Sequence, residues 1–282
     1  MGIEVFKQRR LVIATKHKKE EVIAPILEQA IGVNCFVPHA FDTDQLGTFS
    51  GEVERKLNPL ETARKKCELA MDETGSDLAI ASEGSFGQHP TILLAPADDE
   101  IVLLKDRKYK FEFIGRKIST DTNFGGEEIG NVEEGLNFAS DQGFPEHAMI
   151  LRNAQNDNSV IYKNITDKSL LTQKMNELFE AFGTAWIETD MRAMYNPKRM
   201  EVIAQATDDL IKNINNCCPV CDAPGFQVDE VEAGLPCSLC SLPTQSTLAF
   251  KYKCASCKHE QRKLYPNGKK NEEPMYCNFC NP

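Results

Sequence analysis

A mixed, twisted α/β sheet flanked by helices, followed by a small metal-bound domain, is the architecture that three features of the sequence predict. Short apolar runs alternate with helix-period segments through residues 1–214, the signature of a layered α/β domain. Nine of the eleven cysteines lie after residue 216, and eight of those form four CxxC pairs. The stretch from Leu78 to Gly87, LAIASEGSFG, places a carboxylate and flexible backbone at the end of an apolar strand, where open α/β sheets bind ligands. Residues 1–214 are therefore expected to form the α/β domain and residues 215–282 a tandem zinc ribbon.

In chain order, Arg10 to Thr15 reads as the first strand, running into a basic turn, Lys16 to Lys19. Val22, Ile23, Ile26, Leu27, Ala30 and Ile31 then recur at helix spacing, with Pro25 expected near the first turn and Gly32 as the stop. Val33 to Val37 reads as a second strand, followed by a polar loop carrying Asp42 and Asp44. Asn58 and Pro59 open the next helix as N-cap and first residue, with Glu61 in capping-box position. After the short strand Leu78 to Ala81 come a hairpin (Ile101 to Lys105 with Tyr109 to Gly115) and a polar segment, Thr120 to Gly143, read as loop with some helix. Strands at His147 to Arg152 and Ser159 to Lys163, a helix from Leu170 to Phe182 and a strand at Ala185 to Glu188 follow. The final helix, capped by Asn196 and Pro197, carries Lys198 and Arg199 in its first turn, where cations oppose the helix dipole unless an anion is present.

Composition narrows the function classes. With 41% hydrophobic and 26% charged residues the chain has the balance of a soluble globular protein. No apolar run approaches the roughly 20 residues of a membrane span. The start lacks the order of a signal peptide, and Phe6 breaks the myristoylation pattern, so a cytoplasmic location is expected. After residue 216 there are seven basic and seven acidic residues, so the net charge of −10 belongs to the preceding part. Such an acidic body is a poor non-specific grip for nucleic acid, but it suits a phosphorylated small molecule bound through a divalent cation.

Taken together, ATKHKKE at Ala14, SGEV at Ser50, PLETARKKCELA at Pro59, ASEG at Ala81, the central hairpin and the Arg-containing last helix resemble the inosine triphosphate pyrophosphatase-like fold of house-cleaning nucleotide hydrolases. The resemblance covers about residues 8 to 215, with His17 standing where that family has Asn. The chain is also identified as a member of a family of bacterial proteins sharing the ATKH, GTFSGEV, ASEG and DMRA..NP.RM signatures and the cysteine-rich tail. That second likeness carries no activity. The first implies a magnesium-dependent phosphohydrolase or pyrophosphatase acting on a nucleotide or related phosphorylated metabolite.

The local chemistry agrees. Glu61 and Glu83, with Asp42 or Asp44 as helpers, would hold magnesium, a hard cation that takes one or two carboxylates plus substrate phosphates. Thr15, Lys16, His17 and Lys19 would cradle phosphate at a strand–turn–helix, and Arg192, Lys198 and Arg199 would neutralise the rest. The alternative is a module without catalysis that binds a ligand, RNA or a protein; the oligomeric state stays open, a dimer being compatible.

In the tail, Cys218/Cys221, Cys237/Cys240, Cys254/Cys257 and Cys277/Cys280 are separated by 15, 13 and 19 residues. Ribbon gaps of 15–20 favour sequential pairing, first pair with second and third with fourth, with an interleaved cross-brace as the alternative. Either way two closed, structural four-cysteine zinc sites follow, with Cys217 left over. Lys251, Lys253, Lys258, Arg262, Lys263, Lys269 and Lys270 lie near Phe250, Tyr252 and Tyr265, a combination that suits either RNA or the balancing of thiolate charge.

Overall fold

A computed structural model of the chain describes residues 2–15, 17–38 and 57–282. The chain divides into two compact units, Gln8–Leu210 and a smaller one made of Met1–Lys7 with Ile211–Pro282.

The larger unit is mixed α/β, with two twisted sheets rather than the single sheet expected. The first carries β1 (Arg10–Ala14), β2 (Asn34–Phe36), β3 (Leu78–Gln88), β4 (Pro96–Asp106) and β5 (Phe111–Ser119) in the order β2-β1-β3-β4-β5. β2, β1 and β3 are parallel, and β4 and β5 add antiparallel. The crossovers are α1 (Glu20–Ile31), between β1 and β2, and α2 (Pro59–Thr74), which precedes β3. The second sheet holds β6 (Gly126–Ile129), β7 (Met149–Arg152), β8 (Ile161–Ile165) and β9 (Ala185–Thr189) in the order β6-β9-β7-β8. With it go α3 (Val132–Asp141) and α4 (Lys168–Phe182), and α5 (Pro197–Asn215) follows.

Local chemistry fixes the helix ends. The Asn58 side chain accepts from Glu61 N–H and the Glu61 carboxylate accepts from Asn58 N–H, a complete capping box, while Gly75 closes α2 in the left-handed conformation. Gly32 closes α1 in the same way, but Pro25 sits in the second turn of that helix, not the first as expected. Its missing N–H costs α1 one internal hydrogen bond there. The polar segment after Thr120 holds the helix expected of it, α3, which Asn131 caps by accepting from Glu134 N–H, and in addition a strand, β6, that was not expected.

β3 differs most from expectation. It runs 11 residues, straight through the ASEG stretch, because β4 pairs with it continuously from Leu78↔Asp106 to Gln88↔Pro96. Glu83 and Gly84 are therefore strand residues, not a loop at the strand's end. Since directly opposed residues share a face, Ser82, Gly84 and Phe86 line up with Val102, Glu100 and Asp98 on one side of the sheet. The other side carries Val12, Ala14, Ala79, Ala81 and Leu103 against Ala63, Cys67, Ala70 and Met71 of α2. A second core forms where Met149, Leu151, Ile165 and Ile187 meet Phe138 of α3 and Leu171, Met175 and Leu178 of α4.

α5 crosses β5 at Gly115, where an added Cβ would lie 2.1 Å from the Ala206 carbonyl oxygen and 2.4 Å from the Leu210 nitrogen. Backbone cannot step aside as a side chain can. Gly115→Ala is expected to destabilise the metal-loaded chain by about 3 kcal/mol, the upper end for overpacking. Urea unfolding checks this, and a change within about 0.5 kcal/mol, as at an ordinary surface position, would mean that α5 does not seat on β5 here.

In the smaller unit β10 (Gln227–Ala233), β11 (Thr247–Lys253) and β12 (Glu260–Leu264) form an antiparallel meander. Phe226 stacks on Tyr252 and His259, with ring centroids 5.5 and 5.7 Å away. It joins Cys218, Ala223 and Cys254 in a small buried core. Among the described residues no helix is long and apolar enough to cross a membrane.

Candidate functional site

The eight CxxC cysteines gather into two sets, Cys218/Cys221/Cys254/Cys257 and Cys237/Cys240/Cys277/Cys280, with all sulfurs of a set within 4.8 Å of one another. This is the interleaved arrangement and corrects the sequential pairing expected from gap lengths. The cause is the meander. Each gap between successive pairs contains one strand, so every gap carries the chain to the opposite end of the sheet. Gln227 at the start of β10 pairs with Lys253 at the end of β11, placing the first and third pairs at one end. Ala249 near the start of β11 pairs with Leu264 at the end of β12, placing the second and fourth at the other.

Contacts between sulfurs of 3.6 to 3.9 Å match the edge of a tetrahedron whose metal–sulfur bonds are about 2.3 Å, so both sets are compatible with structural zinc. N–H groups support the ligands: Leu239 N–H donates to Cys237 Sγ and Cys257 N–H to Cys254 Sγ, both at 3.4 Å. Backbone donors at Cys240 and Leu239 hold the Cys237 thiol down to about 7. The tail's basic side chains are largely matched by neighbours. Lys251 pairs with Glu230, Lys253 with Glu260, Arg262 with Glu232 and Lys269 with Glu272, at 2.7 to 3.4 Å.

In the larger unit, charge collects where β3 passes beyond its last pairing with β1, Ala14↔Ala81. Lys19, the N-cap residue of α1, is buried and donates from Nζ to Ser82 Oγ (3.0 Å) and Ser82 O (3.3 Å), with Glu100 Oε2 at 3.9 Å. Burial pushes its ammonium down to about 8, against the opposing charge of Glu100. Arg199, also buried, donates from Nε to Glu100 Oε1 (2.6 Å) and from Nη1 to the Met191 carbonyl (2.5 Å), and lies 5.2 Å over the Phe86 ring. Asp98, two residues before Glu100 on the same face, has a buried Oδ1 without a hydrogen-bond partner among the described residues. Burial, then the Glu100 charge, pushes its carboxyl up to about 8.

Gly84 makes the arrangement sterically possible. A Cβ there would stand 2.0 Å from Glu100 Oε1 and 2.7 Å from Arg199 Nη2. On the opposite face Glu83 is buried in an ion pair with Lys66, 2.5 Å apart.

Beside this array lies a cleft of about 780 Å³, whose wall includes Phe86 and Met191, both of which touch Arg199. Phe86 stacks with Phe124, and Trp186 Nε1 donates to Glu188 Oε2 (2.9 Å), whose other oxygen accepts from Arg152. Arg192 also lines the cleft, bound to Asp190 through Nε (3.0 Å) and Nη2 (2.5 Å).

The structure thus brings Lys19 and Arg199 together and puts Arg192 on the cleft wall. Thr15 is buried, and its Oγ1 accepts from the backbone of half-buried His17 at 3.4 Å. Lys198 instead reaches Asp121 at 2.7 Å. Glu100 and Asp121, both residues of this chain, supply the anions that the cations at the start of α5 need. Glu61 is engaged in the helix cap. Lys16, Asp42 and Asp44 lie outside the described residues. Sequence reasoning missed Asp98, Glu100 and Lys66; the signal was the i, i+2 spacing in DDEIV, which fell outside a hairpin expected to begin at Ile101. Trp186 and Glu188 carry the same alternation on β9, and Asp190 continues it one residue past the strand's end.

These features define the class: a mixed α/β unit with a buried charge array beside a polar and aromatic cleft, in one chain with a cross-braced unit holding two four-cysteine centres. The chain belongs to the family described as domain of unknown function DUF6671, which matches residues 66–282. No curated protein matches it. Solved structures similar to it include protein VC0702 from Vibrio cholerae, at 11% identity over 74% of this chain and 96% of that one, with a TM-score of 0.34. Two others are the competence damage-inducible protein A from Klebsiella pneumoniae subsp. pneumoniae (12% identity, 41% and 73% covered, TM-score 0.24) and the hypothetical protein CT253 from Chlamydia trachomatis (12%, 40% and 70%, 0.20). At such scores these likenesses carry no argument.

Two measurements test the site. Metal content should fall to one equivalent in Cys221→Ser/Cys254→Ser, which damages one centre, and to none in Cys221→Ser/Cys240→Ser, which damages both; the reverse result would restore sequential pairing. Asp98 has a folded-state pKa above its unfolded value of about 3.9, so its contribution to stability is complete below about pH 4 and is lost as pH rises through about 8. Asp98→Asn, which mimics the protonated acid, should therefore gain melting temperature relative to wild type between about pH 5 and 8.5. A difference independent of pH would place Asp98 in contact with solvent or a cation.

Proposed function

We propose that the larger unit is a phosphohydrolase acting on a nucleotide or related phosphorylated metabolite with magnesium. The observation that carries this reading is the buried Lys19–Glu100–Arg199 array at the C-terminal ends of parallel strands. Burying such charges costs several kcal/mol per ion, and well-packed apolar residues of similar volume often stabilise as well or better. Perturbed titratable groups beside a cleft are the arrangement that binding and catalysis favour.

The aromatic faces of Phe86, Phe124 and Trp186 suit a flat ring, and Arg152 and Arg192, held by Glu188 and Asp190, would turn their guanidinium groups from those carboxylates to anionic oxygens of a ligand. Lys19 and Arg199 offset negative charge at the adjoining strand ends. Glu83 faces away from the cleft, toward Lys66 of α2, but its charge reaches Lys19 at the strand ends; it is the hard oxygen donor that would hold magnesium if the phosphates extend from the cleft past those strand ends, releasing Lys66 from its present pair. Magnesium, when bound, supplies charge neutralisation at the phosphoryl group. Glu61 has no catalytic role in this reading. We do not extend the proposal to RNA, because the chain after residue 216 carries seven basic and seven acidic residues and so has no net formal charge for a phosphate backbone.

The test is a screen for phosphate and pyrophosphate release over common and damaged nucleotides with magnesium, repeated on variants. Glu83→Gln should lower kcat on the order of 10²-fold or more, and Arg192→Ala should weaken substrate binding. Glu61→Gln should cost about 1 kcal/mol of stability and little rate. Trp186, the only tryptophan, gives a fluorescence reading of cleft occupancy in parallel. Absence of turnover across the screen, or full activity in Glu83→Gln, would sink the proposal.

A further inference from the structure

The hairpin that links β3 to β4 outruns the sheet on both sides. The last pairing of β1 with β3 is Ala14↔Ala81, and β5 pairs with β4 no further than Asp98↔Ser119. Among the described strands, residues 87–97 are therefore a two-stranded ribbon held by its own pairing, Gly87↔Ala97 and Gln88↔Pro96, with His89 N–H donating to the Ala95 carbonyl at 2.8 Å. A ribbon of two strands has little stability of its own. Exposure sets in where the sheet's support ends: Ser82, Glu83 and Gly84 are buried, whereas Gly87 and Gln88 are exposed.

The tip of the ribbon holds aliphatic side chains in water. Ile92, Leu93 and Leu94 are 51%, 86% and 77% exposed, and Leu94 has a left-handed backbone (φ 63°), uncommon for a residue other than glycine. The turn is built rather than slack, since His89 Nδ1 accepts from Thr91 N–H at 3.1 Å and from Ile92 N–H at 3.0 Å. From Gly87 to Ala97 the sequence GQHPTILLAPA has no Asp, Glu, Lys or Arg, in a chain of net charge −10. Such a tip neither repels nor neutralises phosphate; what it offers is apolar contact.

The cleft lies at the ribbon's root. Ser85 and Phe86 line it, and the ribbon begins at the next residue. Hydrogen bonds between the strands stiffen a ribbon within its plane, so it bends along the normal to that plane, and the Phe86 ring marks the face on which the cleft lies. An added Cβ at Gly87 would meet nothing within 4 Å, which leaves the root room to bend. Ile92 stands six positions beyond Phe86, up to about 20 Å of strand, enough to cross a cleft of about 780 Å³. Bent that way, the aliphatic tip comes down opposite Phe86, Phe124 and Trp186, and a flat ring between them is covered on both faces.

We propose that the β3–β4 ribbon is a moving wall of the cleft, closing over a bound nucleotide so that Leu93 and Leu94 cover the base. The inference rests on the nucleotide reading of the cleft and adds to it the contact that shields the ring from water.

The test takes the full, metal-loaded chain with ATP, GTP and UTP, each with magnesium. Trp186 fluorescence reports occupancy, and hydrogen exchange over residues 87–97 reports the ribbon. Where the fluorescence change saturates, exchange there should slow on the order of tenfold or more, as for a segment of low local stability that becomes packed. Leu93→Ser and Leu94→Ser should each raise the dissociation constant about tenfold, the worth of one buried aliphatic side chain, chiefly through faster release. Both positions are exposed, so both variants should keep wild-type metal content and melting temperature. Phe182→Ser, at an apolar position 51% exposed at the end of α4, should leave the constant unchanged. Nucleotide binding with unslowed exchange, or with unchanged constants in both leucine variants, overturns the closing ribbon and leaves the cleft reading standing. No response of Trp186 to any of the three nucleotides removes the cleft reading, and the ribbon's role with it. Protection of residues 87–97 that follows chain concentration instead of nucleotide marks a contact between copies, and protection that appears only with phosphatidylcholine vesicles marks a membrane contact; either overturns the proposal.

Discussion

Glu100 holds the charged side of the larger unit together. It is fully buried, and it is reached by Arg199 from the start of α5 and by Lys19 from the turn before α1. Two helices far apart in sequence thus converge on one carboxylate of β4. Removing one partner of such a buried pair commonly costs 3–5 kcal/mol, because the other is left desolvated and uncompensated. Glycine at position 84 follows from the same requirement, since any side chain on the neighbouring strand would occupy the space the ion pair needs. The lengthened β3 follows as well: its pairing with β4 through this region brings Gly84 opposite Glu100.

The smaller unit obeys a different constraint. Its apolar core is slight, and below about 70–80 residues a core rarely supplies enough stability alone. The cysteine sets compensate by fastening both ends of the meander. A metal at each end would join cysteines 33 to 43 positions apart, so the strands between them would be clamped at both ends. A sequential pairing would have joined knuckles at opposite ends of a strand, which the length of β10 forbids.

Much of this was legible in the sequence because local chemistry governs it. The Asn58 capping box, the Asn196 cap, the Gly32 and Gly75 stops and the run of strands and helices up to α5 follow from rules that operate within a few residues. What escaped depends on partners distant in the chain. β3 looked as if it ended at Ala81 because nothing local says that Pro96 to Glu100 will pair alongside the ASEG residues. Asp98 and Glu100 looked like turn residues for the same reason. Gap length misled the cysteine pairing, whereas counting the strands in each gap, one apiece, would have given the interleaved answer. At the start of α5 the electrostatics were read correctly as needing an anion, but the anion belongs to the protein.

The first residues of the chain fold with the last. Gly2 N–H donates to the Asp222 carbonyl at 2.7 Å, and Phe6 is fully buried. The smaller unit is therefore assembled from two stretches with the larger unit between them in sequence. During synthesis the opening segment must wait until the cysteine-rich portion has emerged, while the interposed α/β portion has all its own strands available earlier. Maturation should then run from the middle outward, with metal capture as the closing event. A fragment beginning at residue 211 would lack that opening segment even with every metal ligand present.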